Sequence, residues 1–262
     1  MRRSYSVPYI IGFSCAVCVV CSLLVSSAAV SLKPRQERNA LLDRQKNVLL
    51  AAGLVEPDQR PGREQIAQIF RERIEPVVIE LASGEETDID PRTFDPEAEL
   101  KDPQNSSPAP PNPAQIQRIP ARALVFKVME GGRVTGVVFP IIGKGLWSTM
   151  YGYIAVDADG NTVQGLTFYE HGETPGLGGE VDNQKWKDLW PGRKIYDEEG
   201  NVALEVVKGR AGPPEEAPYQ VDGLSGATIT SRGVSHTLEF WFGEDGFGPY
   251  LRKIRESRGG SS

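Results

Sequence analysis

One stretch of the chain is apolar throughout: Tyr9–Leu32 (YIIGFSCAVCVVCSLLVSSAAVSL) holds no charged residue. As a helix it reaches about 36 Å at about 1.5 Å per residue, against a hydrocarbon core of about 30 Å. Residues 9–32 are therefore read as a transmembrane anchor and 1–8 as a cytoplasmic tail. The competing reading is a cleaved signal peptide, because Arg2 and Arg3 precede the run and the small residues Ser26–Ala29 close it. The length of the run favours the anchor. Its orientation stays open: Arg2 and Arg3 favour a cytoplasmic N-terminus, whereas Lys33, Arg35, Arg38, Arg44 and Lys46 favour the opposite.

After the anchor the apolar spacing becomes helical. Leu41, Leu42, Val48, Leu49 and Leu50 predict a helix over 34–53, with Gly53 as its stop, and a second helix is predicted over Arg63–Ile74. Val77–Leu81 reads as a strand, and 33–100 as a largely helical membrane-proximal region. Residues 101–120 carry Pro103, Pro108, Pro110, Pro111, Pro113 and Pro120, which predicts an exposed insertion or linker.

From Ala123 the pattern turns to short β-rich runs. Ala123–Met129 and Val134–Ile142 flank a Gly-Gly turn, and Tyr151–Val156 and Thr162–Tyr169 flank Asp157–Asn161; both pairs read as hairpins. Val202–Val207 is a further β-rich run. Asn183–Trp190 and Ser231–Phe242 read as helices. The expected class is α+β: an antiparallel sheet with hairpins and packed helices over 121–255, preceded by a single N-terminal transmembrane helix. A flexible tail covers 256–262. No strand–GxGxxG–helix unit supports a dinucleotide-binding fold.

Composition narrows the chemistry. The 262 residues carry a formal charge of −6, all 35 acids follow Leu32, and only two of the 29 Lys and Arg precede it. Such an acidic body argues against a nucleic-acid partner. The three cysteines, Cys15, Cys18 and Cys21, all lie in the apolar run. On paper their spacing resembles a ligand set, but in an apolar helix cysteine acts as a small hydrophobe. The body thus has no disulfide, thiolate nucleophile or Cys-ligated cluster. With only His171 and His236, a three-His metal site is excluded, and no metal ligand or catalytic residue is assigned.

Three glycine-punctuated stretches remain. Gly143–Thr149 places two glycines beside Trp147, which suits either a flat ring system or a plain hairpin with a core Trp. His171–Gly179 must be a shaped loop, in which His171 offers a base or a surface residue, and Glu173 a ligand contact or a turn cap. Asp222–Ser231 leads small and hydroxyl residues into a helix, which suits phosphate binding or simple capping.

The segment Asp222-Gly-Leu-Ser-Gly-Ala-Thr228 resembles the flavin-attachment motif D-x-x-[S/T]-G-A-T. Its surroundings resemble the NqrC family, the flavin-carrying members of the Na⁺-translocating NADH:quinone oxidoreductase (Nqr), in collinear blocks at 39–54, 143–156, 160–170, 172–183, 206–209, 221–231 and 240–249. Only the Pro-rich stretch is unmatched. The resemblance implies FMN joined as a phosphoester to Thr228. It implies flavin-site roles for Asp222, Ser225, Gly226 and Ala227, and a ring lining of Leu146, Trp147, Thr174, Leu177 and Gly178. It further implies an FMN transferase that attaches the cofactor, and five partner polypeptides of the complex, lettered A, B, D, E and F. The domain would lie on the periplasmic side of the bacterial inner membrane. Electrons would be relayed through FMN while the complex exports Na⁺.

Three rivals are separable. The G component of the Rnf complex shares the attachment motif, but the GLWSTMYGYIAV block and the long region before the first hairpin favour Nqr. A membrane-anchored adapter would bind no cofactor. An extracytoplasmic hydrolase would need Ser225 or Thr228 with His236, and no acid–base pair follows the usual motifs.

Overall fold

The structure, a computed structural model, describes residues 6–56 and 61–259. These divide into two units, the first reaching residue 44 and the second beginning at 45. The element α1 (Val7–Ala51) passes position 34 without a break, so the separate helix expected over 34–53 is the end of a longer one. The segment Val7–Lys33 of α1 is long and apolar enough, by length and composition, to cross a membrane.

Residues 45–259 form the antiparallel α+β unit that the pattern predicts. In chain order, α2 (Arg63–Arg73), β1 (Ile74–Glu80), β2 (Glu85–Glu86), α3 (Pro96–Lys101), β3 (Ser106–Pro108) and β4 (Arg118–Pro120) come first. Then follow β5 (Arg122–Glu130), β6 (Arg133–Lys144), β7 (Thr149–Asp157) and β8 (Val163–Glu170), a 3₁₀ turn (Gly178–Asp182) and α4 (Gln184–Lys187). The chain ends with β9 (Glu205–Val206), β10 (Gln220–Val221), α5 (Thr228–Phe242) and α6 (Gly248–Gly259).

The six-stranded sheet runs β2-β1-β5-β6-β7-β8, all antiparallel. Alternation sorts its side chains onto two cores. Val77, Ile79, Val125, Val137, Phe139, Ile141 and Ile154 face one cluster, which includes Leu238 and Trp241 of α5. Ile74, Val78, Leu124, Phe126, Val138 and Tyr153 face the other, closed by Val48 and Leu49 at the end of α1 and Ile66 and Phe70 of α2. A sheet covered on both faces explains why these strands read as nearly continuous apolar runs.

Two expectations are corrected. The region 33–100, expected as largely helical, is helical only in part. Beside the end of α1, α2 and α3 it contributes β1, at the strand expected over Val77–Leu81, which pairs along its whole length with β5, from Ile74↔Val128 to Glu80↔Arg122. The Pro-rich stretch 101–120, expected as an exposed insertion or linker, is largely exposed or half-buried but is tied down as a short strand pair. Ser106–Pro108 pairs with Arg118–Pro120, and Ala114 is buried. Arg118 donates to Ser106 O and Oγ, and Asn112 closes the turn through Ile116. The prolines escape conflict by lying at strand ends or in the turn, where no ladder N–H is required. The predicted strand 202–207 shrinks to β9, paired in parallel with β10, and the helix expected over 183–190 to α4. The tail expected at 256–262 begins within α6, a helix that the apolar spacing did not predict.

Candidate functional site

Loops 145–148, 171–179 and 222–228 meet at one end of the sheet because β6, β8 and α5 deliver them there. α5 packs on β6, where Trp241 Nε1 donates to Ile142 O at 2.7 Å. Its side is pinned to β9 by Val206 N–H donating to Ser235 Oγ. Its start is fixed by Leu224 N–H donating to Ser231 Oγ.

The carboxylate of Glu173 joins the loops to the start of α5. It accepts the N–H groups of Leu146 (3.2 Å), Trp147 (2.9 Å) and Ser148 (3.2 Å). It also accepts the hydroxyl of Thr230 at 2.6 Å. A return bond runs from Gly172 N–H to Ser148 Oγ. Glu173 is only 5% exposed. Burial pushes its carboxyl up, but Thr230 and the amides of Trp147, Ser148 and Leu146 outweigh burial and hold it below the ordinary carboxylate value.

Glycine is required at Gly178, where a Cβ would lie 2.6 Å from both Glu173 Oε2 and Thr230 Oγ1. It is also required at Gly226, which has φ +71° and faces Leu177.

Around this buried knot the surface is apolar. Within 45–259 the exposed large apolar side chains among the described residues are Val134, Leu146, Trp147, Tyr169, Leu177 and Ile229. Leu146, Trp147 and Leu177 belong to the loops and Ile229 to the first turn of α5, and Trp147 is 68% exposed. Among them Thr228 opens α5. Its neighbour Ala227 provides no side-chain cap. Among the described residues, neither the Thr228 hydroxyl nor the N–H groups of Thr228, Ile229 and Thr230 has a hydrogen-bond partner. An uncapped helix start beside an open hydroxyl suits an anion such as a phosphate. The adjoining exposed indole and aliphatic groups suit a flat ring. These residues therefore fit FMN.

The other expected residues fall into two groups. Ser225, Gly226 and Thr174 are set among the loops, all three exposed, whereas Ala227 and Gly178 are buried. Thr174 shapes its own loop, its carbonyl accepting from Leu177 and Gly179. Asp222 points elsewhere: its carboxylate accepts Ala211 N–H and its carbonyl accepts Trp186 Nε1. His171 is also tied down, accepting from Glu173 N–H on Nδ1 and pairing through Nε2 with Asp182. His236 lies about 12 Å along α5 from Thr228 and serves neither Thr228 nor Ser225 as a base. Sequence reasoning leaves Glu173 as a ligand contact or a turn cap, counts Thr230 only among the possible helix caps, and gives Ile229 no role. The one available signal is a lone carboxylate in a loop of glycines.

The FMN-binding domain family matches residues 145–242, from the first of these loops to the end of α5. The C subunit of the Na(+)-translocating NADH-quinone reductase of Yersinia pestis is 49% identical over 245 residues, covering 92% of this chain and 90% of that protein. The chain belongs to the NqrC family of this reductase. The C subunit of Pseudomonas aeruginosa is 47% identical over 244 residues, covering 92% of this chain and 93% of that protein. Among solved structures, Shewanella oneidensis NqrC superposes with a TM-score of 0.75 at 38% identity, covering 85% of this chain and 99% of that one. The C subunit from Parabacteroides distasonis gives 0.64 at 26% identity, with 84% and 96% covered. NqrC membership over nearly the whole chain decides against the Rnf, adapter and hydrolase readings. It makes the chain one subunit of a Na⁺-translocating NADH-quinone reductase, with an FMN-binding domain.

Proposed function

We propose that this chain is the membrane-anchored, electron-relaying subunit of the reductase and carries FMN as a phosphoester on Thr228. The observation that carries this reading is the exposed Thr228 hydroxyl, unpartnered among the described residues at an uncapped helix start inside the matched FMN-binding domain. When bound, FMN supplies reversible electron uptake and release, which needs no protein nucleophile or base.

The chain's own residues bind and orient. The first amides of α5 face the phosphate, and the small residues Gly226 and Ala227 leave it room. Ser225 offers a hydroxyl beside it. Leu146, Trp147, Thr174, Leu177 and Gly178 line the ring and shield it from water on that side. Asp222, by resemblance, marks the motif for the FMN transferase. Residues 7–33 hold the domain at the inner membrane, on its periplasmic side. They contain no carboxylate, so the Na⁺ path belongs to the partner polypeptides A, B, D, E and F.

Co-expression of the full chain with an FMN transferase tests the assignment. The expected result is a flavin-fluorescent band on a denaturing gel that disappears in Thr228→Ala. A dark wild-type band, or a fluorescent Thr228→Ala band, overturns it. Protease treatment of spheroplasts, which should remove the FMN domain, tests the orientation.

A further inference from the structure

The Leu146–Ser148 turn presents three consecutive N–H groups to one buried anion, and that anion is part of the protein. Turning these amides inward to Glu173 obliges the Leu146 and Trp147 side chains to point outward. This accounts for a tryptophan that is 68% exposed when Trp186, Trp190 and Trp241 are all buried. The same carboxylate takes the hydroxyl of Thr230, two residues after Thr228, across 57 residues of sequence.

We infer that Glu173 is a positioning residue that assembles the flavin site before the cofactor arrives. Its carboxylate sets the Leu146–Trp147 wall and the first turn of α5 in register with each other. Glu173 is nearly closed off from solvent. Its oxygens are taken up by four internal donors, so it acts through Thr228, Leu146 and Trp147 and not by touching the ring. Only an acceptor without hydrogens serves all four donors. A nest of successive amides closed around a charge is also stronger than the same bonds to a neutral group. The inference rests on the reading of Thr228 as the attachment point.

The experiment uses the full chain in detergent, made without transferase and then with it. The variants are Glu173→Gln, Thr230→Val and Thr230→Ser. In the flavin-free chain, the amides of 146–148 should exchange slowly with deuterium. They should exchange about ten-fold faster in Glu173→Gln, because a charge-assisted acceptor is lost. Iodide quenching of Trp147, the exposed tryptophan, should change with them.

With limiting transferase, Glu173→Gln and Thr230→Val should each carry about ten-fold less flavin per chain, while Thr230→Ser keeps its hydroxyl and stays near wild type. Near-ultraviolet dichroism checks folding, and Thr230→Val carries the test if Glu173→Gln does not fold. Wild-type exchange rates at 146–148 with unimpaired flavin loading in both variants would overturn the inference. A wild-type chain that takes no flavin at Thr228 would instead overturn the functional reading, and the exchange measurement would still decide the role of Glu173.

Discussion

Asp222, the first of the seven residues that end at Thr228, bonds away from Thr228. Its Oδ1 accepts the N–H of Ala211 at 2.9 Å, and its carbonyl accepts the Trp186 indole at 2.8 Å. The aspartate thus holds the 209–212 loop against the wall that leads into α5, with Gly223 N–H donating to Gly209 O beside it. Replacing it with Asn keeps an acceptor for Ala211, whereas Ala removes it. Asp222→Ala should lose about 1 kcal/mol of stability in urea unfolding, and Asp222→Asn much less. If Asp222→Asn is stable yet loads flavin poorly, the charge itself serves the transferase. Equal flavin loading by Asp222→Asn and wild type would assign Asp222 to structure alone.

Gly178→Ala should be costly although the change is one methyl group. The new Cβ would meet the Glu173 carboxylate and the Thr230 hydroxyl, both held by each other and neither free to retreat. Overpacking of this kind costs about 1–3 kcal/mol. Urea midpoints of the flavin-free chain measure it, and an unchanged midpoint would show the knot to be looser than its geometry.

Trp147 should behave in the opposite way. Its side chain is mostly in water, so Trp147→Ala should change the stability of the flavin-free chain by no more than about 0.5 kcal/mol. Its effect should emerge on the flavin: a shifted visible absorption band and faster quenching of flavin fluorescence by iodide. A loss of stability without any spectral change would remove Trp147 from the ring lining.

Stability should fall at alkaline pH through Tyr196. Burial pushes its hydroxyl up to about 12, opposed by the Arg255 guanidinium 4.0 Å over the ring. In the unfolded chain tyrosine ionises near pH 10. Between about pH 10 and 12 the unfolded state therefore releases a proton that the folded state keeps, and folding stability declines as pH rises. Tyr250 is shifted in the same direction, by burial and then by Glu86. Tyr196→Phe should lose stability at pH 8, because the bond to Phe242 O is gone, but should decline less between pH 8 and 11. Parallel declines for both proteins would exclude Tyr196 as a source of the alkaline transition.

Local pattern alone reveals much of this protein. A charge-free run marks the first part of α1, short β-rich apolar runs mark β5–β8, and the seven residues ending at Thr228 mark a helix start with a small-residue approach. Each signal lies within a dozen or so neighbouring residues, where backbone geometry and periodicity operate. What stays unresolved at that level depends on partners far along the chain. β1 reads as an isolated strand until β5 pairs with it across some forty intervening residues. The Pro-rich stretch reads as an exposed insertion or linker until β3 meets β4 and Ala114 is buried. Glu173 stays open between a ligand contact and a turn cap until folding brings it the amides of 146–148 and the hydroxyl of Thr230.

The order of residues is enough to say which of them carries the hydroxyl and which side chains are apolar enough to sit beside a ring. Folding is what turns Asp222 away, leaves Trp147 in water, and makes one buried carboxylate the tie between the loops and α5. A carboxylate's role follows from its donors, and the donors of Glu173 come from a loop after β6 and from the first turn of α5, which no local pattern connects to the loop after β8.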